Sequence, residues 1–150
     1  MIIDAMTEAD LDEVVAIDVA AFSEPKEVRE KSLREELARP WGRLRVARGE
    51  GGRVLGYLLF WHVTDELHVI NVAVAPAERR KGIGRALVGE LLSYARANAV
   101  AKILLEVRAS NAAAIALYES AGFTRFNVRP RYYGTDEDAV EMVLRVASGA

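Results

Sequence analysis

Arg79-Arg80-Lys81-Gly82-Ile83-Gly84-Arg85 stands where the hydrophobic pattern of the chain changes from that of a strand to that of a helix. Upstream, residues 67–75 read as a strand stopped by Pro76. Downstream, Ile83, Leu87, Val88, Leu91, Leu92 and Ala95 recur at helical spacing to about Asn98. Residues 102–108 then form a short β-rich run, and a crossover through a helix places such a run parallel to the strand before it. The basic glycine turn is therefore the first corner of one βαβ unit.

On the N-terminal side, residues 43–48 alternate through Leu44 and Val46, Gly49-Glu50-Gly51-Gly52 turns, and the apolar run 54–61 follows as an antiparallel partner. The turn Thr64-Asp65-Glu66 makes residues 67–75 the third strand of a meander. Before it come a short opening strand and a helix. Thr7-Glu8-Ala9-Asp10 has the form of a capping box, and Leu11, Val14, Val15 and Phe22 supply the apolar stripe. A second, polar helix over residues 27–38 is anchored by Val28, Leu33 and Leu37 and ends before Pro40. On the C-terminal side, Ser110 or Asn111 caps a helix through Ala121, closed by Gly122, and strands near 123–128 and 139–146 flank the loop 129–138. Strands on both sides of one βαβ unit predict an α+β fold: a mostly antiparallel mixed sheet of about seven strands with about four helices. No repeat or linker divides the chain, so residues 1–147 are expected to be one domain and 148–150 a short tail.

Composition removes whole classes of function. With 150 residues and 51% hydrophobic side chains the chain can bury a core. Lys plus Arg number 20 against 22 Asp plus Glu, a balance of −2, so no global field recruits nucleic acid or an anionic membrane, and any basic site is local. Without cysteine there is no disulfide, no thiolate metal site and no acyl group carried on a thiol. The two histidines, His62 and His68, are too few for the usual zinc spacings, so no metal is expected and both are read as satisfied strand or surface residues. No apolar run approaches the roughly 20 residues of a membrane span, and Met1-Ile2-Ile3-Asp4 is acidic too early for a signal peptide. The expectation is a cytoplasmic protein without a membrane partner.

Glycine-permitted amides and the positive end of a helix converge on the basic turn, a combination that suits a pyrophosphate. A Walker loop is excluded because the required Gly-Lys-Ser/Thr is missing. A dinucleotide fingerprint fails because Leu87 occupies the place of its third small residue and residues 76–81 separate the strand from the first glycine. The plainer alternative is a solvated basic helix start. Against it, cations at a helix N-terminus oppose the macrodipole at a cost of roughly 0.3–1 kcal/mol each unless an anion sits there.

Arg79-x-x-Gly82-x-Gly84 resembles the acetyl-CoA signature of the GNAT superfamily of N-acetyltransferases. Leu105-Glu106-Val107-Arg108-Ala109-Ser110-Asn111-Ala112-Ala113-Ala114-Ile115-Ala116-Leu117-Tyr118-Glu119-Ser120-Ala121-Gly122-Phe123 is similar, almost residue for residue, to the corresponding segment of RimI-type protein N-terminal acetyltransferases. The similarity spans residues 71–144 and includes Arg131-Tyr132-Tyr133 ahead of Asp136-Glu137-Asp138. The resemblance implies the GNAT fold and acetyl-CoA as co-substrate. Its contacts would come from Val72, Ala73 and Val74, where family strands splay to admit pantetheine, from Arg79, Arg80, Lys81, Gly82, Ile83, Gly84 and Arg85, and from Asn111. By position alone, residues 72–74 are an ordinary buried strand and Asn111 is a helix cap.

Glu106 interrupts the apolar run Ile103-Leu104-Leu105-x-Val107, and an unpaired carboxylate in such a strand would be costly to desolvate, so it faces a cleft, a cation or water. An ion pair with Arg108 on the same strand face is the plain reading. Tyr118 lies on one helical face with Ile115 and Ala121, where a tyrosine commonly covers the core with its hydroxyl wet. The resemblance implies more: Glu106 as general base and Tyr118 as general acid. An α-amino group with a pKa of about 8 needs far less help to lose its proton than a lysine at about 10.4, and a departing thiolate requires a proton. Direct transfer without an acyl-enzyme fits the missing cysteine.

For the acceptor, the resemblance implies a protein N-terminus, with the alanine of a small-subunit ribosomal protein favoured, threaded between the loop after the first helix and a late loop carrying Tyr132 and Tyr133. Either tyrosine could equally be loop packing. RimI-type sequences commonly carry a Phe-Pro-Trp-like segment after the first helix, whereas Phe22-Ser23-Glu24-Pro25-Lys26-Glu27 lacks the tryptophan, which bears on specificity more than on catalysis. Glu24, Glu27 and Glu36 fit either an attractor for a cationic N-terminus or a solvated helix face. The alternatives are a GNAT enzyme acting on a small amine or a lysine side chain, and a non-catalytic acyl-CoA-binding module; retention of both Glu106 and Tyr118 argues against the module. No direct nucleic-acid contact is expected, and the chain is expected to be a monomer or weak homodimer.

Overall fold

The computed structural model describes residues 1–132 and 137–146. In chain order the elements are β1 (Ile2–Ala5), α1 (Leu11–Phe22), α2 (Lys26–Ala38), β2 (Gly42–Arg48), β3 (Val54–Val63), β4 (Glu66–Val74), α3 (Ile83–Ala97), β5 (Lys102–Arg108), α4 (Ala112–Ser120), β6 (Thr124–Arg129) and β7 (Ala139–Arg145). The strands form one sheet in the order β1-β2-β3-β4-β5-β7-β6, in which β4 and β5 are parallel and the other neighbours antiparallel. The expected α+β architecture is thus observed, with seven strands and four α-helices among the described residues. The tail expected at 148–150 lies outside the described residues.

Each face of the sheet carries its own core. On one face α3 buries Ile83, Leu87, Val88, Leu91 and Ala95 against Leu58, Phe60, Leu67, Ile103 and Leu105, and α4 adds Ile115 and Tyr118. On the other, α1 buries Leu11, Val14, Val15 and Ile17 against Leu44, Val46, Tyr57 and Leu59. Fully burying one such Leu or Ile is worth about 1.5–3 kcal/mol, so these two stripes, rather than helix propensity, hold the layers.

The start of α1 follows the capping-box expectation in form. The Thr7 amide donates to the Asp10 carboxylate at 2.9 Å, and the pair opens a single 3-10 turn, Glu8–Asp10, that runs into α1. Asp10 also accepts both Arg48 guanidinium N–H groups at 2.7 Å. Two expected anchors are corrected: Phe22 is 39% and Val28 51% exposed. For Val28 the reason is a polar inner face on α2. Asp18 is fully buried beneath it and accepts from Tyr57 Oη and Arg29 Nε, while buried Glu36 accepts from Trp61 Nε1 at 2.8 Å and pairs with Arg39 at 2.7 Å. Arg29, Leu33 and Glu36 therefore face inward at helical spacing, which turns Val28 outward.

Strand β4 carries the irregularity that shapes the sheet. Its register against β3 pairs Leu59 with Asn71 and Phe60 with Val69, leaving Ile70 as an extra, bulged residue. The bulge also shifts the alternation of side chains. Val69 packs on the α3 face before it, and Val72 and Val74 pack on that same face after it, with Ala73 on the α1 face.

Candidate active site

The bulge coincides with the end of the parallel pairing. β4 and β5 are hydrogen-bonded from Glu66↔Lys102 to Val69↔Leu105; beyond that β4 continues to Val74 beside β3, and β5 continues to Arg108 beside β7. The two strands part at Ile70 and Glu106. Ala75 donates its amide to Leu55 of β3 at 2.8 Å, so by strand alternation the Ala73 amide faces β3 as well, and those of Val72 and Val74 face the opening. Of the three residues read from the sequence, two thus aim N–H groups into the gap and Ala73 belongs to the ladder.

The basic turn lies at the α3 end of the same gap. Gly82 takes φ +82°, a left-handed value suited to glycine, and a Cβ there would meet open space. Ala86 makes the first in-helix bond, to the Gly82 carbonyl at 3.0 Å, which leaves the amides of Ile83, Gly84 and Arg85 without an in-helix carbonyl. No acidic residue occupies the first turn of α3. Arg79, Arg80 and Arg85 carry no ion pair among the described residues and are exposed. Lys81 differs: its Nζ lies 3.0 Å from Glu78 Oε2, and Arg53 reaches the other Glu78 oxygen at 3.0 Å. Lys81 and then Arg53 hold the Glu78 carboxyl below its ordinary value. Arg80 itself has φ +65°, a strained value for a side-chain-bearing residue of the kind that concentrates at ligand sites.

Glu106 faces away from α3. Ile103, Leu105 and Val107 are buried on the α3 side, so Leu104, Glu106 and Arg108 point to the other face. There Glu106 lines a cavity of about 540 Å³ with Trp61, His68, Val69, Ile70, Leu104, Leu105, Phe126, Arg129, Tyr132 and Glu141. Tyr132 shares this cavity with Glu106, whose carboxylate pushes the phenol upward because its anion would face that charge. A smaller cavity of about 280 Å³ adjoins through the shared residue Ile70 and is lined by Phe22, Glu24, Arg29, Ser32, Leu33, Glu36, Leu59, Asn71 and Arg108. Glu24, Glu36 and the displaced Phe22 therefore meet there, beside the α1–α2 connection, whereas Glu27 is not among the residues lining it.

Tyr118 belongs to the opposite face. It packs in the α3 core, edge-on to Phe123 at 5.7 Å between centroids, and burial pushes its hydroxyl up to about 12. The hydroxyl has no hydrogen-bond partner among the described residues, yet it is not a sealed polar atom, so its tip reaches solvent. Tyr118 does not line the cavity that Glu106 lines; the gap between β4 and β5 is the opening between their two faces. Asn111 caps α4, its Oδ1 accepting from the Ala114 amide at 3.2 Å. Tyr133 lies outside the described residues.

Sequence reading overlooked Arg129 and Glu141. Glu141 breaks the run Ala139-Val140-x-Met142-Val143-Leu144 in the same way that Glu106 breaks its own, and that anomaly was the available signal. The two glutamates are register partners across β5 and β7. Glu141 accepts from Asn127 Nδ2 at 2.7 Å and Arg129 Nε at 2.9 Å, and these two donors hold its carboxyl below the ordinary value. His62 and His68 have partners, at 2.7 Å from Tyr94 Oη and 3.0 Å from Glu66, and His68 also lines the larger cavity. Among the described residues no three His, Asp or Glu side chains converge as a metal site, and no helix is long and apolar enough to cross a membrane.

Comparison with known proteins agrees with this geometry. Residues 11–123 match the acetyltransferase (GNAT) family. The ribosomal protein bS18-alanine N-acetyltransferase of Escherichia coli K12 is 41% identical over 122 residues, 72% of this chain and 82% of its own. The N-alpha-acetyltransferase RimI of Mycobacterium tuberculosis is 37% identical over 135 residues, 87% of this chain and 83% of that one. In three dimensions the crystal structure of the E. coli ribosomal-protein-S18-alanine N-acetyltransferase superposes with a TM-score of 0.84 at 33% identity, covering 99% of this chain and 95% of that one. An aminoglycoside 6'-N-acetyltransferase complexed with coenzyme A shares the fold, with a TM-score of 0.87 at 15% identity over 100% of this chain and 99% of that one. A seven-stranded sheet opened between its parallel strands, a glycine-started basic helix at the opening and a match over residues 11–123 give one conclusion: this chain belongs to the GNAT acetyltransferase family and is an N-acetyltransferase.

Proposed function

We propose that the chain transfers the acetyl group of acetyl-CoA to the N-terminal α-amino group of a cytoplasmic protein, with the N-terminal alanine of a small-subunit ribosomal protein as favoured acceptor. The observation that carries the reading is the parting of β4 and β5: it sets an exposed carboxylate, Glu106, on one face of the sheet and a basic helix start on the other. The E. coli relative acts on an alanine of a ribosomal protein by name, which supports the same acceptor class here.

The residues suit such a donor. Arg79, Arg80 and Arg85, with the free amides at the start of α3, would hold its phosphates, with Lys81 the weaker participant because Glu78 engages it. Val72 and Val74 would offer amides to the carbonyl oxygen as charge develops there, and Asn111 would stay a cap bordering the site. Bound acetyl-CoA would supply an activated acyl group with a thiolate leaving group. Glu106 takes a proton from the acceptor ammonium, directly or through water, and Tyr118, protonated at neutral pH, returns one to the leaving sulfur. Tyr132, and by sequence Tyr133, border the acceptor side.

A peptide-library assay with mass-spectrometric localisation of the acetyl group tests the reading: modification of N-terminal alanine peptides, abolished by blocking the α-amine, is expected. Acetylated lysine or spermidine in place of the N-terminus would move the enzyme to the small-amine and lysine reading. Binding of acetyl-CoA without turnover would make it a binding module. Glu106→Gln should lower kcat/KM by about 10²-fold or more, the usual share of a positioned base.

A further inference from the structure

We propose that Glu78 is an internal competitor for the coenzyme's phosphates: its carboxylate holds Lys81 until a polyphosphate arrives and takes the ammonium over, and this exchange sets how tightly acetyl-CoA and the product coenzyme A are held. The proposal deepens the reading of the basic turn as the phosphate site and rests on it.

Glu78 is out of place by charge. Among residues 76–85 it is the single acid, set ahead of Arg79, Arg80, Lys81 and Arg85 in a turn whose free amides and cations suit an anion. A carboxylate there repels any phosphate that enters. Yet it is firmly placed. Its amide donates to the Ala75 carbonyl at 2.8 Å, Ala75 is tied to Leu55 of β3 at 2.8 Å, and Glu78 is only 8% exposed. Its two oxygens are divided between two cations: Lys81 Nζ donates to Oε2 at 3.0 Å, and Arg53, just ahead of β3, reaches Oε1 at 3.0 Å.

That division lowers the cost of an exchange. A buried carboxylate stripped of every partner is strongly destabilising, whereas one that keeps Arg53 is still paired after Lys81 leaves. Lys81 is the partner placed to leave. Its exposed side chain is a flexible stem with three rotatable donors, and it stands one residue before Gly82 and two before Ile83, the first of the free amides. Arg53 is equally exposed, yet it belongs to the turn between β2 and β3, outside the phosphate turn. Of the four cations in the phosphate turn, Lys81 alone has an ion-pair partner to give up among the described residues.

A structural tie and a competitor predict opposite signs. If Glu78 merely pins the turn, Glu78→Gln loosens it and weakens coenzyme binding. If Glu78 competes, the same change frees Lys81, and binding tightens on the order of threefold to tenfold. Charge repulsion without exchange would also tighten binding, and Lys81→Met separates the two: with both residues changed, the gain should drop below about twofold if Lys81 is exchanged and persist in full if it is not. Glu78→Asp, one methylene shorter, keeps the charge and draws it back from Lys81. It should tighten binding in the same direction, and it carries the test should the glutamine variant fold poorly.

The experiment is titration calorimetry of coenzyme A, which cannot turn over, into the unaltered chain, Glu78→Gln, Glu78→Asp, Lys81→Met and the Glu78→Gln/Lys81→Met pair, with melting curves to check folding. Tighter binding in Glu78→Gln, lost in the pair, supports the proposal, as does an inhibition constant for coenzyme A that falls by the same factor while the peptide KM stays constant. Unchanged or weaker binding in the folded Glu78 variants would make Glu78 a structural tie and overturn it. A gain kept in full by the pair would overturn the exchange and leave repulsion alone. Failure of the unaltered chain to bind coenzyme A would sink the phosphate reading itself; binding there, with no gain in the Glu78 variants, sinks the competition only.

Discussion

Tyr118 packs in the core and is also the proposed general acid. Its ring is core, edge-on to Phe123, while its hydroxyl makes no bond to the described residues and opens to solvent. Tyr118→Phe should therefore leave thermal stability within about 0.5 kcal/mol of wild type while lowering kcat by about a hundredfold. Because burial raises the hydroxyl to about 12, no alkaline limb assignable to Tyr118 should appear below about pH 11. A stopped assay of acetyl transfer alongside calorimetry checks both. An equal loss of stability and rate would mean the hydroxyl is structural. Its packing was legible from helical spacing, and the acid role was implied only by the family resemblance; what the sequence lacked was the sheet between Tyr118 and Glu106, because side-chain direction depends on which strand face each element packs against.

Among the elements, α3 joins the packing of the molecule to its electrostatics. Its apolar stripe was legible because burial on one face imposes helical spacing, and Ile83, Leu87, Val88, Leu91 and Ala95 are indeed buried. α2 was legible in extent and not in facing. Asp18, fully buried on α1, requires a cation, and Arg29 answers it from α2, so a long-range polar contact overrode the placement of Val28. Glu141 escaped for a related reason: its partners sit on β6, and nothing local announces that pairing. At the start of α3, reversal of charge in Arg80→Glu with Arg85→Glu should raise the acetyl-CoA KM on the order of tenfold to a hundredfold, the worth of one or two charged hydrogen bonds, with the peptide KM nearly constant. Equal rises in both constants would remove the phosphate role.

The molecule as a whole ties its first turn to its sheet through Asp10. Paired hydrogen bonds from Arg48 hold the Asp10 carboxyl down to about 2, against the upward push of burial, where 3.8 is ordinary. A folded value below the ordinary one contributes stability that is fully present above about pH 4 and is lost as pH falls through about 2. Asp10→Asn should thus cost about 1–2 kcal/mol at pH 7 and almost nothing near pH 2, as read by urea melts at the two values.

Ile70 supports a last deduction. It borders both cavities, it is the surplus residue in β4, and the residues on either side already pair regularly with β3. Deleting it would leave Val69 and Asn71 opposite Phe60 and Leu59 as before, with every later side chain on its present face. Such a one-codon loss should therefore yield a protein that folds at least as well, with a flatter β4 free to go on pairing beside β5, and that transfers no acetyl group. Selection for stability alone would favour discarding Ile70, and only selection for catalysis would keep it. A melting curve and an activity assay on that deletion would separate the two pressures.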